Sequence, residues 1–179
     1  KKSDAPIPDP PAPKCAKIYT ECGFNGVGYE VCGNTPVIPT TLTSGFEIGK
    51  FATAKLFMGP NCSSGFYTLN SNWDCFDGYS LKNGLKSIMV GNDPTPPFGC
   101  LWIYDESCLS GNKYEICSSV KDLNTISWAN KIASVAVGSG IKYTLNTQYG
   151  WATTRSSHSY GLSSTFFKKV SSITISPLV

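Results

Sequence analysis

Eight cysteines and a single histidine are the side chains of this 179-residue chain best suited to chemistry beyond hydrogen bonding. Their spacing decides which chemistry. Structural zinc sites cluster thiolate and imidazole ligands, commonly from a CxxC pair. No two cysteines here stand three apart, and His158 has no second histidine to join it. The spacing argues against a metal centre and for disulfides, which persist in oxidising compartments. His158 lies in TTRSSHS, residues 153–159, but serines adjacent in sequence do not make a triad without an orienting acid, and no acid follows Asp122. Glu21 and the Asp105-Glu106 pair fall near hairpin tips, and neighbouring strand residues point to opposite faces. No glycine-rich stretch has phosphate-loop form. The expectation is a chain without catalytic residues and without a cofactor.

The cysteines sit in a repeat. Residues 15–32 read CAKIYTECGFNGVGYEVC and residues 100–117 read CLWIYDESCLSGNKYEIC. Eight positions are identical: Cys15/Cys100, Ile18/Ile103, Tyr19/Tyr104, Glu21/Glu106, Gly26/Gly111, Tyr29/Tyr114, Glu30/Glu115 and Cys32/Cys117. Average residue usage predicts about one by chance. A duplicated domain follows. If each copy is a hairpin, its outer cysteines face each other across the open end, predicting Cys15–Cys32 and Cys100–Cys117. Each closure would contribute about 3 kcal/mol by the chain-entropy argument. Cys22 and Cys108 fall one position out of register, and Cys62 and Cys75 have no counterparts. The local pair Cys62–Cys75 is the expectation, leaving Cys22 and Cys108 for each other or for another molecule.

The elements that must position these residues read as β. Short runs of Tyr, Phe, Val, Ile and Thr are broken by Gly, Pro, Asn and Ser. Candidate strands are 16–20, 28–31, 53–58, 65–69, 87–90, 101–104, 113–116, 132–137, 142–145 and 172–175, and their length and spacing indicate antiparallel sandwiches. FYTLN at 66–70 and KYTLN at 142–146 suggest that each copy has two halves, closing in the strands 53–56, 87–90, 134–137 and 172–175. Residues 1–14, KKSDAPIPDPPAPK, hold five of the twelve prolines and no aromatic, which reads as an extended arm. The predicted organisation is arm 1–14, domain 15–92, linker 93–97 and domain 98–179.

Charge is unevenly distributed. Residues 1–95 carry eight basic and eight acidic side chains, and residues 96–179 carry seven and four. After Asp122 only Lys131, Lys142, Arg155, Lys168 and Lys169 carry charge, a surface that could meet an anionic partner. No basic helix or arginine run indicates nucleic acid. No apolar run reaches the ~18 residues of a membrane span. The start at Lys1-Lys2 without methionine reads as a mature or trimmed form, and the sequon Asn61-Cys62-Ser63 would suit secretion. Ten of residues 143–165 are Ser or Thr, interleaved with Tyr149, Trp151 and Tyr160. Such a stretch suits contact with carbohydrate or protein, as well as ordinary strands and loops.

On these residues the chain resembles the βγ-crystallin superfamily. That family's Greek-key motif opens with an aromatic and a glycine about seven residues on, and closes with a serine-led strand. Tyr104, Gly111, Tyr114 and the run Trp128-Ala129-Asn130-Lys131-Ile132-Ala133-Ser134-Val135 match it best. Tyr19, Phe24, Gly26 and Tyr29 repeat the opening in residues 15–58; residues 61–90 and 140–176 follow it more loosely. The resemblance implies an all-β protein of two crystallin-like sandwiches, each of two intercalated Greek keys. It also implies calcium as a ligand, held by paired acid or amide residues and by Ser/Thr. The stretches Ala129-Asn130/Ala133-Ser134, Lys82-Asn83/Lys86-Ser87, Phe167-Lys168/Ser171-Ser172 and Ile48-Gly49/Ala52-Thr53 offer few of the 6–8 oxygens calcium needs, and two of them carry lysines. Calcium binding is therefore expected to be weak or absent.

Two functions fit. One is a secreted, disulfide-stapled structural or matrix protein that associates with itself or another extracellular protein. The other is a secreted interaction protein, such as a toxin, antimicrobial or protease inhibitor, acting through exposed loops.

Overall fold

Both copies of the repeat fold as antiparallel hairpins in the computed structural model, which describes residues 11–40, 42–50 and 52–179. The chain divides into two units: described residues up to Pro60 with Ser64–Asn92, and Asn61–Ser63 with Asp93–Val179. In the first, β1 (Cys15–Glu21) pairs with β2 (Asn25–Cys32), setting Cys15 opposite Cys32 and Ile18 opposite Tyr29. The chain continues through β3 (Asn34–Thr35), β4 (Gly45–Ile48), β5 (Ala54–Phe57), β6 (Phe66–Leu69) and β7 (Ser87–Val90). In the second, β8 (Leu101–Glu106) pairs with β9 (Ser110–Ile116), followed by β10 (Ser134–Val137), β11 (Ile141–Thr147), β12 (Ala152–Arg155) and β13 (Val170–Pro177).

Each unit exchanges strands between its two halves. One sheet of the first unit runs β2-β1-β4, extended by a bridge from Phe46 to Trp73 of the second half. The other runs β3-β7-β5-β6, so β3 of the first half lies in the sheet of the second. The second unit repeats the exchange: β10-β8-β9 gains Ser159 through Val135, and β12-β11-β13 gains Val120 through Ile173. This is the interlocked Greek-key arrangement, and the molecule is all-β with antiparallel pairing. The facing sheets bury a core in each unit. Ala16, Ile18, Phe46, Leu56, Phe76 and Ile88 lie in one, and Leu101, Ile103, Val135, Tyr143, Leu145 and Ile173 in the other.

Four readings of the sequence are corrected. The strand at 53–58 does not close the first half; β5 opens the second. The closing strand is β4, and it is led by Gly45 where β10 has Ser134, so a search for a serine-led strand passes over it. The paired stretch Ile48-Gly49/Ala52-Thr53 is displaced with it, because residues 42–45 occupy the place of residues 131–134. The shared Tyr-Thr-Leu-Asn string marks the second strand β6 in one unit and the first strand β11 in the other; four residues of β pattern carry no topological address. Finally, residues 11–14 are not arm. Pro11 is buried, as is Pro96. Cys15 N–H donates to the Ala12 carbonyl (3.0 Å) as Cys100 N–H does to that of Pro97 (3.1 Å). The repeat thus begins at the turn before its first cysteine, and residues 93–97 belong to the second unit. The rest of the arm lies outside the described residues.

The glycines common to both copies have a specific task. Each first strand carries a bulge after its tyrosine. The extra residue, Thr20 or Asp105, turns its side chain to accept an amide of the returning strand: Val27 N–H to Thr20 Oγ1 (2.9 Å) and Asn112 N–H to Asp105 Oδ1 (2.7 Å). Gly26 (φ +72°) and Gly111 (φ +82°) sit against these acceptors, and a Cβ on either would lie 2.3 Å from the oxygen. Gly111→Ala is expected to lower stability by about 2–3 kcal/mol, combining left-handed strain with loss of that bond. Gly99→Ala, at φ +78° with nothing near its Cβ, should cost only about 1 kcal/mol. Equal losses in urea denaturation of the two variants would refute the close-approach argument.

Candidate functional site

Every chemistry-bearing group singled out in the sequence can be located. The structure joins Cys15 to Cys32 and Cys100 to Cys117, with Cα atoms 4.3 and 4.1 Å apart, close to the spacing of a directly facing, non-hydrogen-bonded strand pair. The expected Cys62–Cys75 pair does not form: Cys22 bonds Cys75 and Cys62 bonds Cys108. Both bonds secure hairpin tips. In the first unit the tip lies against residues 74–76, with Gly23 N–H donating to the Asp74 carbonyl (2.7 Å) and Phe76 N–H to that of Ser44 (2.7 Å). Cys75 is therefore the nearest partner for Cys22. In the second unit Cys108 N–H donates to the Tyr160 carbonyl (2.6 Å) in the same way, but Gly161 stands where Cys75 would be. A Cβ there would lie 2.0 Å from the Asn61 carbonyl. The segment 61–63 fills that space and brings Cys62 to Cys108. Sequence spacing alone could not find this pairing, although the glycine at the vacant register position is its trace.

Three acidic–thiol groupings, Cys15/Glu30/Cys32, Cys22/Cys75/Asp77 and Cys100/Glu115/Cys117, bring their polar atoms close. Their cysteines are all oxidised as disulfides, and no described cysteine is free, so they supply no thiolate.

The serines and the histidine serve the backbone. Ser134 donates to the Glu106 carbonyl (2.6 Å) and accepts from Leu109 N–H (3.1 Å). Ser87 donates to the Gly59 carbonyl (2.6 Å) and Ser171 to that of Asn146 (3.2 Å). His158 Nδ1 accepts Val137 N–H (3.0 Å). Tyr143 donates to the Ser157 carbonyl (3.1 Å) and shares a 2.6 Å hydroxyl contact with Ser159. Ser157 and Ser159 thus both meet the Tyr143 hydroxyl, while His158 between them turns to the Val137 amide. Asp105 holds Asn112 through both carboxylate oxygens. Among the described residues no buried side-chain oxygen or nitrogen lacks a partner.

The motif aromatics divide by depth. Tyr19 and Tyr104 are buried, and Tyr19 donates to Glu47 (2.8 Å). Tyr29 is half-buried. Tyr114 stays near the surface, its ring 6.2 Å from that of the half-buried Trp128. Burial raises the pKa values of Tyr19, Tyr104, Tyr143 and Tyr160, and hydrogen-bonded carboxylates at Glu47 and Asp93 raise those of Tyr19 and Tyr160 further.

A shallow, open cleft of about 280 Å³ lies in the Ser/Thr-rich region, lined by Tyr149, Trp151, Ser164, Thr165 and Lys169. The turn between β11 and β12 presents its two aromatics, and the loop before β13 supplies the hydroxyls and the cation.

Neither a scan of family models nor a search of curated proteins finds a match for the chain. Among solved structures it is similar to a βγ-crystallin domain from Flavobacterium johnsoniae, at 18% identity and a TM-score of 0.41 over 45% of this chain and 98% of that one. It is also similar to a structure concerned with the evolution of the eye-lens βγ-crystallin domain fold (19% identity, TM-score 0.45, 49% and 95% covered). A third is the N-terminal domain of protein S (17%, 0.40, 45% and 99%). The strand exchange described above is the architecture that the motif resemblance implied.

Burial pushes the Tyr143 hydroxyl up to about 12, with the Ser159 bond and the Arg155 charge opposing the shift. An unfolded tyrosine ionises near 10. The unfolded chain therefore releases this proton first, so the stabilisation is complete below pH ~10 and is lost as pH rises towards ~12. Ultraviolet titration should show Tyr143 ionising only as the fold opens, and Tyr143→Phe should remove that part of the alkaline loss. Ser134→Ala should cost about 1–3 kcal/mol by leaving the Leu109 amide unpaired; an unchanged Tm would show that the hairpin is held otherwise.

Proposed function

We propose that the chain is an extracellular, non-enzymatic structural protein, a durable building block that associates with itself or with another extracellular protein. The observation that carries this reading is the use made of its reactive residues. All eight cysteines are consumed in four disulfides. The histidine and the closing serines Ser87, Ser134 and Ser171 are tied to main-chain groups. Disulfides of this number persist in oxidising surroundings, which supports secretion. No helix among the described residues is long and apolar enough to cross a membrane.

Calcium has little part in this reading. Asn83, Asn130 and Lys168 stand at matching left-handed positions, with φ of +54°, +58° and +51°. Lys82 forms a salt bridge with Asp77 beside the first, and Lys168 occupies the last. An ammonium near Ca²⁺ is repulsive by several kcal/mol at an effective dielectric of ~20, and the serine hydroxyls are already donated to carbonyls.

Light scattering and electron microscopy of the native, disulfide-intact protein test the proposal. Ordered polymers or a defined complex with a matrix protein are the expected result. A persistent monomer that inhibits a protease or kills cells would replace it with the interaction-protein reading. Isothermal titration with calcium after chelator treatment should show no micromolar site, and a large calcium-dependent rise in Tm would overturn that part.

A further inference from the structure

We infer that the β11–β12 hairpin and the loop facing it form a binding site for an acidic sugar, a pyranose unit bearing a carboxylate or sulfate. Tyr149 and Trp151 are 68% and 61% exposed. Neighbouring exposed aromatics rimmed by polar groups mark a contact surface. The fold does not require them there. The tips of the first-half hairpins β1–β2 and β8–β9 carry Cys22-Gly23-Phe24 and Ser107-Cys108-Leu109; Phe24 leans on Tyr19 (5.5 Å), and Cys108 and Leu109 are buried. In the second-half hairpin of the first unit, β5 and β6 are joined by a longer connection and carry one exposed aromatic, Phe66, so among the described hairpins β11–β12 is the one with two outward-facing aromatics at a tight turn.

The turn is held in shape. Thr147 N–H donates to the Trp151 carbonyl (2.9 Å), Trp151 N–H returns to Thr147 Oγ1 (3.2 Å), and Gly150, at φ +84°, donates to the Thr147 carbonyl (3.2 Å). The platform therefore loses little conformational freedom on binding, which favours affinity. Across the cleft stand Ser164, Thr165 and Lys169. Lys169 Nζ is fixed by the Ser164 carbonyl (2.9 Å), so its charge is placed and not merely nearby. The set matches one ligand chemistry. The apolar C–H face of a pyranose stacks on the electron-rich indole face. Its hydroxyls exchange hydrogen bonds with Ser164 and Thr165, each of which can donate and accept. A carboxylate or sulfate takes a charge-assisted bond from Lys169. No acid follows Asp122 in the sequence, so Arg155 on β12 and Lys168 add to a field that attracts an anion. A nucleic acid strand would stack on the same rings, but it needs a groove of several cations along its backbone, and the cleft has one.

The site names a partner of the kind an extracellular protein meets, and to that extent it rests on the function proposed above. Its test does not. Isothermal titration of the disulfide-intact chain with tetragalacturonate should give saturable binding with a dissociation constant of about 1 mM or tighter, accompanied by a change in tryptophan fluorescence. Trp151→Ala should weaken it about tenfold while Trp151→Phe retains most of it. Lys169→Gln should weaken tetragalacturonate about threefold or more and leave neutral maltotetraose unaffected. Near-ultraviolet circular dichroism and Tm establish that each variant is folded. Absence of binding, or full binding by folded Trp151→Ala, overturns the site. Equal affinity for maltotetraose overturns its acidic specificity, and tighter binding of a thymidine tetranucleotide assigns the cleft to nucleic acid. A monomer that binds the sugar would refute the assembly proposal and leave this one standing; a polymer that ignores it would do the reverse.

Discussion

The structure depends on how two hairpins fold back on their own sheets. A bulge after Tyr19 or Tyr104 frees one residue from the ladder. That residue, Thr20 or Asp105, captures an amide on the returning strand, and a glycine leaves room for the capture. The folded tip then lies over the closing segment of its own half and beside a segment of the other half. Strand exchange follows from that position, since a tip bonded to residues 74–76 or to Tyr160 draws the neighbouring half into its own sheet. Each unit's core is therefore closed by both halves together.

What holds the tip differs between the two units, although the position does not. In the second, Ser134 takes the Leu109 amide and the Glu106 carbonyl. In the first, Gly45 stands at that register position and has no side chain to offer, while Cys22–Cys75 fastens the same place covalently. A hydrogen-bonded clasp and a covalent one thus hold equivalent tips. The second unit's tip disulfide comes through Cys62, in the space left beside Gly161. The duplication has kept the geometry and varied the fastening.

Much of this was legible in the residues. Cysteines seventeen apart in two matching segments imply facing strand positions, and the strands place them so. Tyr104, Gly111 and Ser134 imply the hairpin, the turn and the closing strand in the third motif. The first motif was misread because its closing strand lacks the serine that identifies such strands. The linking segments Trp73, Val120 and Ser159 join their sheets through single bridges, too short to produce an alternating pattern. The Cys62–Cys108 pair depends on a gap above Gly161 that exists only after folding. The cleft was half-visible: hydroxyls and aromatics were evident at 143–165, but Lys169 joins them only through the loop that precedes β13.

The excursion of residues 61–63 has a consequence for how the duplication can be taken apart. The chain passes from one unit to the other three times: at 60/61, at 63/64 and at 92/93. A gene truncated at the apparent boundary near residue 92 would encode a first half ending with Cys62 as an orphan thiol, and a second half with Cys108 in the same condition. Neither product could regain its full set of cross-links by refolding alone. Cleavage of the intact protein within 93–97 would leave both pieces on one covalent skeleton until a reductant was added. The two copies are modular by descent and inseparable by chemistry.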